Sequence, residues 1–262
     1  MGVPVSINSD GFRDRDYPVE RNASRRIIFL GDSLTFGWGV EKSKTFKDIL
    51  EAKLSETRPT EIINFGTGNY NTEQEVNLFL EKGLKYKPDL VVVFYFINDA
   101  EPTPQKSNWE FLGHLRIVTF FWSRVEMLLT MLGRHQDFRG YYASLHSEGQ
   151  PGWIAAKKAF LRLHNVCAKN AIALRVILLP ELQALDNYPF AAEHRKVTEF
   201  LGANHIEARD LAPLFAAEKN PMRLRVASDD AHPNAIGHEL IAEYSLDFLA
   251  GGFNGRMAAQ PN

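Results

Sequence analysis

The chain has 262 residues, 45% hydrophobic and 24% charged, the balance of a globular protein long enough to bury a substantial core. Thirty Lys and Arg against 32 Asp and Glu leave a formal charge of −2, so no overall field would hold it on nucleic acid or anionic lipid. A single cysteine excludes an intramolecular disulfide framework and a thiolate zinc site.

The expected organisation is one domain over 1–262 in which short aliphatic strands alternate with amphipathic helices. Residues 1–24, rich in Arg, Asp, Asn and Pro, read as an arm crossing the surface before the first strand. They hold neither a basic start nor an apolar run of signal-peptide length, so as written the chain is expected in the cytoplasm. An apolar run at 26–30 predicts the first strand, and Gly31-Asp32-Ser33-Leu34-Thr35-Phe36-Gly37 follows it directly. Glycine at 31 allows a tight exit that presents Ser33 at the sheet edge. Taken alone, a serine there is also what a cap or turn uses.

Helical spacing over 43–56 leads to a second strand at 61–65, closed by Gly66-Thr67-Gly68-Asn69. A further helix at 72–84 precedes the third strand, 90–96, which ends at Asn98-Asp99. These strands are nearly continuous apolar strings, as expected of parallel strands covered on both faces. Ligands in such sheets bind beyond the carboxyl ends of the strands, where these polar residues gather. An Asn98 amide there can donate to an oxyanion, which an ionised Asp99 cannot.

Residues 101–150 break the alternation as a long insertion. Its 111–132 stretch is apolar but interrupted by Arg116, Arg124 and Glu126, too broken to span a membrane. It reads as a cap: a helix packed on the domain, a lid over substrate, or, less favoured, a contact with a membrane interface. Helices are expected at 153–170, 188–201 and 234–249, with a strand at 174–179. Cys167 falls on the apolar stripe of the first of these helices and reads as a core residue.

Before the last helix stands Asp229-Asp230-Ala231-His232-Pro233-Asn234. An Asp and a His three apart in a loop can set a carboxylate on one imidazole nitrogen and leave the other to take a serine proton. The same residues also suit a helix start capped by Asn234. His238 reads as a helix-surface or capping residue. The remaining histidines show no HExxH or paired spacing, so no metal site is expected. Gly66-x-Gly68 lacks the third glycine of a dinucleotide fingerprint, and there is no P-loop, so no cofactor is expected either.

Four blocks taken together resemble the SGNH (GDSL-type) hydrolase superfamily: Gly31-Asp32-Ser33-Leu34, Asn64 to Asn69, Phe96-Ile97-Asn98-Asp99, and Asp229 to His232. The resemblance implies a three-layer flavodoxin-like α/β fold, with a central parallel sheet, helices on both faces and a helical cap insertion. It implies a serine esterase with Ser33 as nucleophile, His232 as base and Asp229 as its orienting acid. The oxyanion hole would use the N–H groups of Ser33 and of Gly68 or Asn69, with the Asn98 amide. Two departures stand out. Phe96 replaces the usual glycine of the third block, and an ungapped match sets Asn69, not Gly68, at the oxyanion glycine.

The implied substrate is a small-molecule or glycan ester, first of all a carbohydrate O-acetyl ester. Lysophospholipid or thioester hydrolysis, acyl transfer to a sugar, and a non-catalytic glycan-binding role on the same fold are the alternatives. The arm sequence Asn8 to Tyr17 resembles a leader in a bacterial subgroup, often preceded by a membrane anchor, which would place a longer form of the chain at the cell envelope.

Overall fold

The computed structural model describes residues 3–21, 24–103, 138–228 and 230–251. Five parallel strands form its sheet: β1 (Arg25–Gly31), β2 (Thr60–Asn64), β3 (Leu90–Tyr95), β4 (Ala173–Leu178) and β5 (Glu207–Asp210). Their spatial order is β2-β1-β3-β4-β5. Ile27 of β1 registers with Ile62 of β2 on one side and Leu90 of β3 on the other. The order therefore reverses at β1, opening a crevice between the carboxyl ends of β1 and β3, the place where such sheets bind ligands.

Side-chain alternation along the strands divides the interior into two cores. Ile28, Leu30, Val91, Val93 and Tyr95 face one side. There they meet Val76 of α3 (Thr72–Leu78), Trp153, Phe160, Leu163 and Cys167 of α5 (Pro151–Lys169), and Val197 and Leu201 of α6 (Ala191–Ala203). Ile27, Phe29, Leu90, Val92 and Phe94 face the other side. They pack on Phe46, Leu50 and Leu54 of α2 (Phe46–Ser55) and on Ile241, Ala242 and Leu249 of α8 (Ala235–Ala250). This is a three-layer α/β arrangement. The shorter helices are α1 (Ser33–Phe36), α4 (Phe138–Leu145) and α7 (Ala212–Phe215), and a small antiparallel ribbon pairs β6 (Arg225–Ala227) with β7 (Asp230–Pro233).

The arm before β1 runs over the surface for most of its length but is anchored in this framework by four buried residues. Phe12 stacks on Phe65 at 4.0 Å, and Phe12, Arg13, Asp14 and Tyr17 are buried. The Asp14 carboxylate accepts the Asn64 N–H at 3.0 Å and the buried Lys47 ammonium at 3.1 Å, so its charge is both paired and hydrogen-bonded. Arg13 donates to the carbonyls of Phe36, Gly37 and Val40.

Cys167 is fully buried, as its place on the apolar stripe suggests, and burial pushes its thiol up to about 12. The 111–132 stretch lies outside the described residues. Among those described, no helix is long and apolar enough to cross a membrane.

Candidate active site

Ser33 opens α1 immediately beyond β1. Asp32 caps that helix, its carboxylate accepting the Leu34 N–H at 2.9 Å. As the first helical residue, Ser33 has an N–H with no partner inside the helix. Its hydroxyl lies 2.7 Å from Nε2 of His232, and Nδ1 of His232 lies 2.5 Å from Oδ1 of Asp230. The carboxylate can only accept, so Nδ1 carries the imidazole proton and Nε2 is left to accept from the serine hydroxyl. Hydroxyl, imidazole and carboxylate thus stand in one hydrogen-bonded row, half-buried at the sheet edge.

The carboxylate in that row is the neighbour of the one the sequence spacing singles out. Three-residue spacing in a loop pointed to Asp229, which lies outside the described residues, whereas the side chain on Nδ1 is that of Asp230. The segment is strand β7 rather than a loop. Side chains two apart on a strand share a face, which sets Asp230 beside His232. The same Asp230 oxygen also accepts the His232 N–H at 2.9 Å. Partial burial would raise the Asp230 carboxyl, but the two hydrogen bonds from His232 and its charge outweigh that and hold it below the ordinary range.

Asn234 caps α8 as its sequence position suggests, accepting from Ile236 and Gly237 N–H at 2.9 and 3.2 Å. Its amide nitrogen donates to the carbonyls of Arg223 and Arg225, so one side chain ties the histidine-bearing ribbon to α8.

The other expected residues converge from β2 and β3. In the turn after β2, the Thr67 N–H donates to the Gly31 carbonyl at 3.0 Å, and a β-carbon on Gly68 would lie 4.0 Å from that of Ser33. Asn69 takes the left-handed conformation, φ 64°, which asparagine tolerates better than most residues. Gly68 therefore faces Ser33 while Asn69 turns the chain. Gly66 lets the two loops meet: a β-carbon there would strike the Phe36 nitrogen and come within 2.5 Å of the Thr35 carbonyl carbon.

Asn98, just beyond β3, points its amide nitrogen at Asp32 Oδ2, 3.3 Å away. Behind it lie three buried carboxyls, Asp32, Glu75 and Asp99. Burial pushes all three upward, and the nearby carboxylates push Glu75 and Asp99 further. For Asp32 the hydrogen bonds from Leu34 and Asn98 and the nearby His232 work in the opposite direction. Asp32 thus joins the helix that opens with Ser33 to Asn98 through two hydrogen bonds of its carboxylate, a contact of the second residue of the Gly-Asp-Ser block that the sequence did not disclose.

Of the two expectations for His238, the structure bears out capping and not a place on the helix surface. The residue is fully buried, stacked on Phe46, with Nδ1 accepting the Phe46 N–H at 3.1 Å. It satisfies the first orphan donor of α2 rather than lying on the surface. Burial pushes its pKa down to about 3, helped by the charges of Arg13 and His232. The signal was present in the sequence: His238, Ile241, Ala242 and Ser245 form one helical stripe, and all four are buried.

Comparison with known proteins bears on the fold and the family. No curated protein matches the chain. Among solved structures, the lipase/acylhydrolase from Enterococcus faecalis superposes with a TM-score of 0.55 at 16% identity, covering 89% of this chain and 100% of that one. An acetyl xylan esterase gives 0.53 at 16% identity, covering 86% and 99%. A two-domain esterase active on acetylated mannans gives 0.55 at 16% identity, covering 90% of this chain and 52% of that one. At such identities these are likenesses of fold. The GDSL-like lipase/acylhydrolase family model, however, matches residues 29–240, from the first strand past the histidine, and the chain belongs to that family.

Proposed function

We propose that the chain is a serine esterase that cleaves short acyl esters, with O-acetylated carbohydrate as the substrate class. The observation that carries this reading is the row Ser33 Oγ, His232 Nε2 and Nδ1, and Asp230 Oδ1, with separations of 2.7 and 2.5 Å. In the first step Ser33 Oγ bonds to the acyl carbon while its proton passes to Nε2. Collapse of the tetrahedral species breaks the bond to the alcohol oxygen, which leaves with the proton from Nε2. Water then gives its proton to Nε2, attacks the acyl-enzyme, and Ser33 recovers the proton as the acid departs. Asp230 holds the tautomer and stabilises the imidazolium.

The developing oxyanion would be met by the Ser33 N–H, an N–H of the Gly68-Asn69 turn, and the Asn98 amide. An amide nitrogen carries two hydrogens, so Asn98 can face Asp32 with one and the oxyanion with the other. The carbohydrate part of the reading draws support from fold neighbours that include an acetyl xylan esterase and an esterase active on acetylated mannans.

The test is hydrolysis of a small acetate ester by the parent and by Ser33→Ala, with labelling of Ser33 by a fluorophosphonate. A parent that hydrolyses and is labelled, and a variant at least about 10³-fold slower, is the expected result. An unlabelled, inert parent would favour a binding module on the same fold, and a fully active variant would remove Ser33 from its role.

A further inference from the structure

Trp38 occupies a position that acyl transfer by itself does not require. The residue is 50% exposed, and its ring centroid lies 6.4 Å from that of the His232 imidazole, the planes inclined at 46°. A lone exposed apolar side chain is commonplace; this one is fastened beside the reacting groups. The Trp38 N–H donates to the carbonyl of Ser33 at 3.1 Å. Gly37 and Gly39 flank it at φ 81° and 76°, a conformation that favours glycine. Gly39 lies so close to Val226 that a β-carbon would come within 2.9 Å of that side chain. From beneath, the buried Arg13 guanidinium holds the carbonyls of Phe36, Gly37 and Val40. The ring is therefore presented on a turn gripped on both sides.

The chemistry says which part of a substrate meets it. His232 Nε2 must hand its proton to the departing alcohol oxygen, so that oxygen comes within hydrogen-bonding reach of the imidazole. The rest of the alcohol extends outward from there, while the acyl carbon stays at Ser33. The indole at the flank of the imidazole thus stands next to the group that meets the alcohol. A half-exposed tryptophan offers a flat apolar face with water at its edges. A pyranose has the complementary form, with a C–H face that can lie on the ring and a rim of hydroxyls that stays hydrated.

We propose that Trp38 is the platform on which the sugar ring of the leaving alcohol stacks, making this residue a determinant of selectivity for carbohydrate esters. The proposal rests on the esterase reading above and deepens it.

The experiment measures kcat/KM for acetate release from xylopyranose tetraacetate and from vinyl acetate, whose alcohol has no ring, and takes the ratio. The parent is compared with Trp38→Phe, which keeps an aromatic face, and Trp38→Leu, which keeps apolar bulk without one. The Leu variant is expected to lower the ratio about tenfold, chiefly through KM for the sugar ester, with Phe recovering most of it. A ratio unchanged within about twofold in the Leu variant overturns the platform, including the case in which both substrates slow equally, which marks Trp38 as structural only. A parent inert towards both esters overturns the esterase reading and the platform with it.

Discussion

Asp230→Asn is the sharpest test of the hydrogen-bonded row, because the neighbouring aspartate provides its own control. The substitution keeps the side-chain shape and an acceptor oxygen for Nδ1–H but removes the charge. With Nδ1 and Oδ1 2.5 Å apart, the charge centres of imidazolium and carboxylate lie about 4 Å apart. At an effective dielectric of about 20 they attract by about 4 kcal/mol. That attraction exists only while His232 holds the serine proton, so its loss raises the barrier and leaves ground-state binding alone. The full figure corresponds to about 10³-fold in kcat. His232 and Asp230 side chains are 28% and 18% exposed, and solvent screening brings the expected loss nearer to about 10²-fold. The assay is steady-state hydrolysis of a small acetate ester at pH 8, with kcat and KM resolved separately, for Asp230→Asn and Asp229→Asn. The Asp230 variant should lose kcat at nearly constant KM, and the Asp229 variant should stay within about threefold of the parent. The reverse pattern would refute the assignment and return the role to Asp229, the residue that the three-residue spacing suggests.

Two further outcomes follow from packing and from burial. Gly66→Ala places a β-carbon against the backbone of Thr35 and Phe36; relief needs a shift of about 1 Å in the Ser33 turn, which should cost about 1–3 kcal/mol of stability and about 10²-fold in kcat. Parent-like unfolding and kinetics in this variant would mean that the two loops can separate without consequence. For His238, the folded pKa of about 3 lies below the unfolded value of ~6.5, so the unfolded chain takes up the proton first as pH falls. The stability it contributes is full above about pH 6.5 and is lost towards pH 3, reaching a loss of about 2 kcal/mol at pH 5. Denaturant unfolding at pH 7 and pH 5 should therefore show a difference smaller by about 2 kcal/mol in His238→Gln than in the parent; equal differences would mean that His238 titrates as an exposed histidine does.

Much of the framework was legible in the chain itself. Runs such as 27–30 and 90–96 are apolar on both faces, a pattern that suits a covered parallel strand, and polar clusters at their ends marked the edge where Ser33 and Asn98 stand. Strand β5, Glu207–Asp210, was not legible, because a four-residue edge strand with partly exposed side chains has no apolar run to betray it. Within the arm, the burial of Phe12, Arg13 and Asp14 was not legible because it rests on partners distant in sequence: Phe65 for Phe12, the Phe36–Val40 turn for Arg13, Lys47 and Asn64 for Asp14.

The same division runs through the site. Local sequence determined which residue types stand at the strand ends, since a tight strand exit, a helix cap and a histidine before proline are short-range matters. Tertiary structure alone decided that Asp230 reaches the imidazole, that His238 closes the start of α2, and that the Trp38 ring stands beside His232. Each depends on the direction in which a side chain leaves its element and on what the rest of the fold brings opposite to it, and neither is a property of residues taken in order.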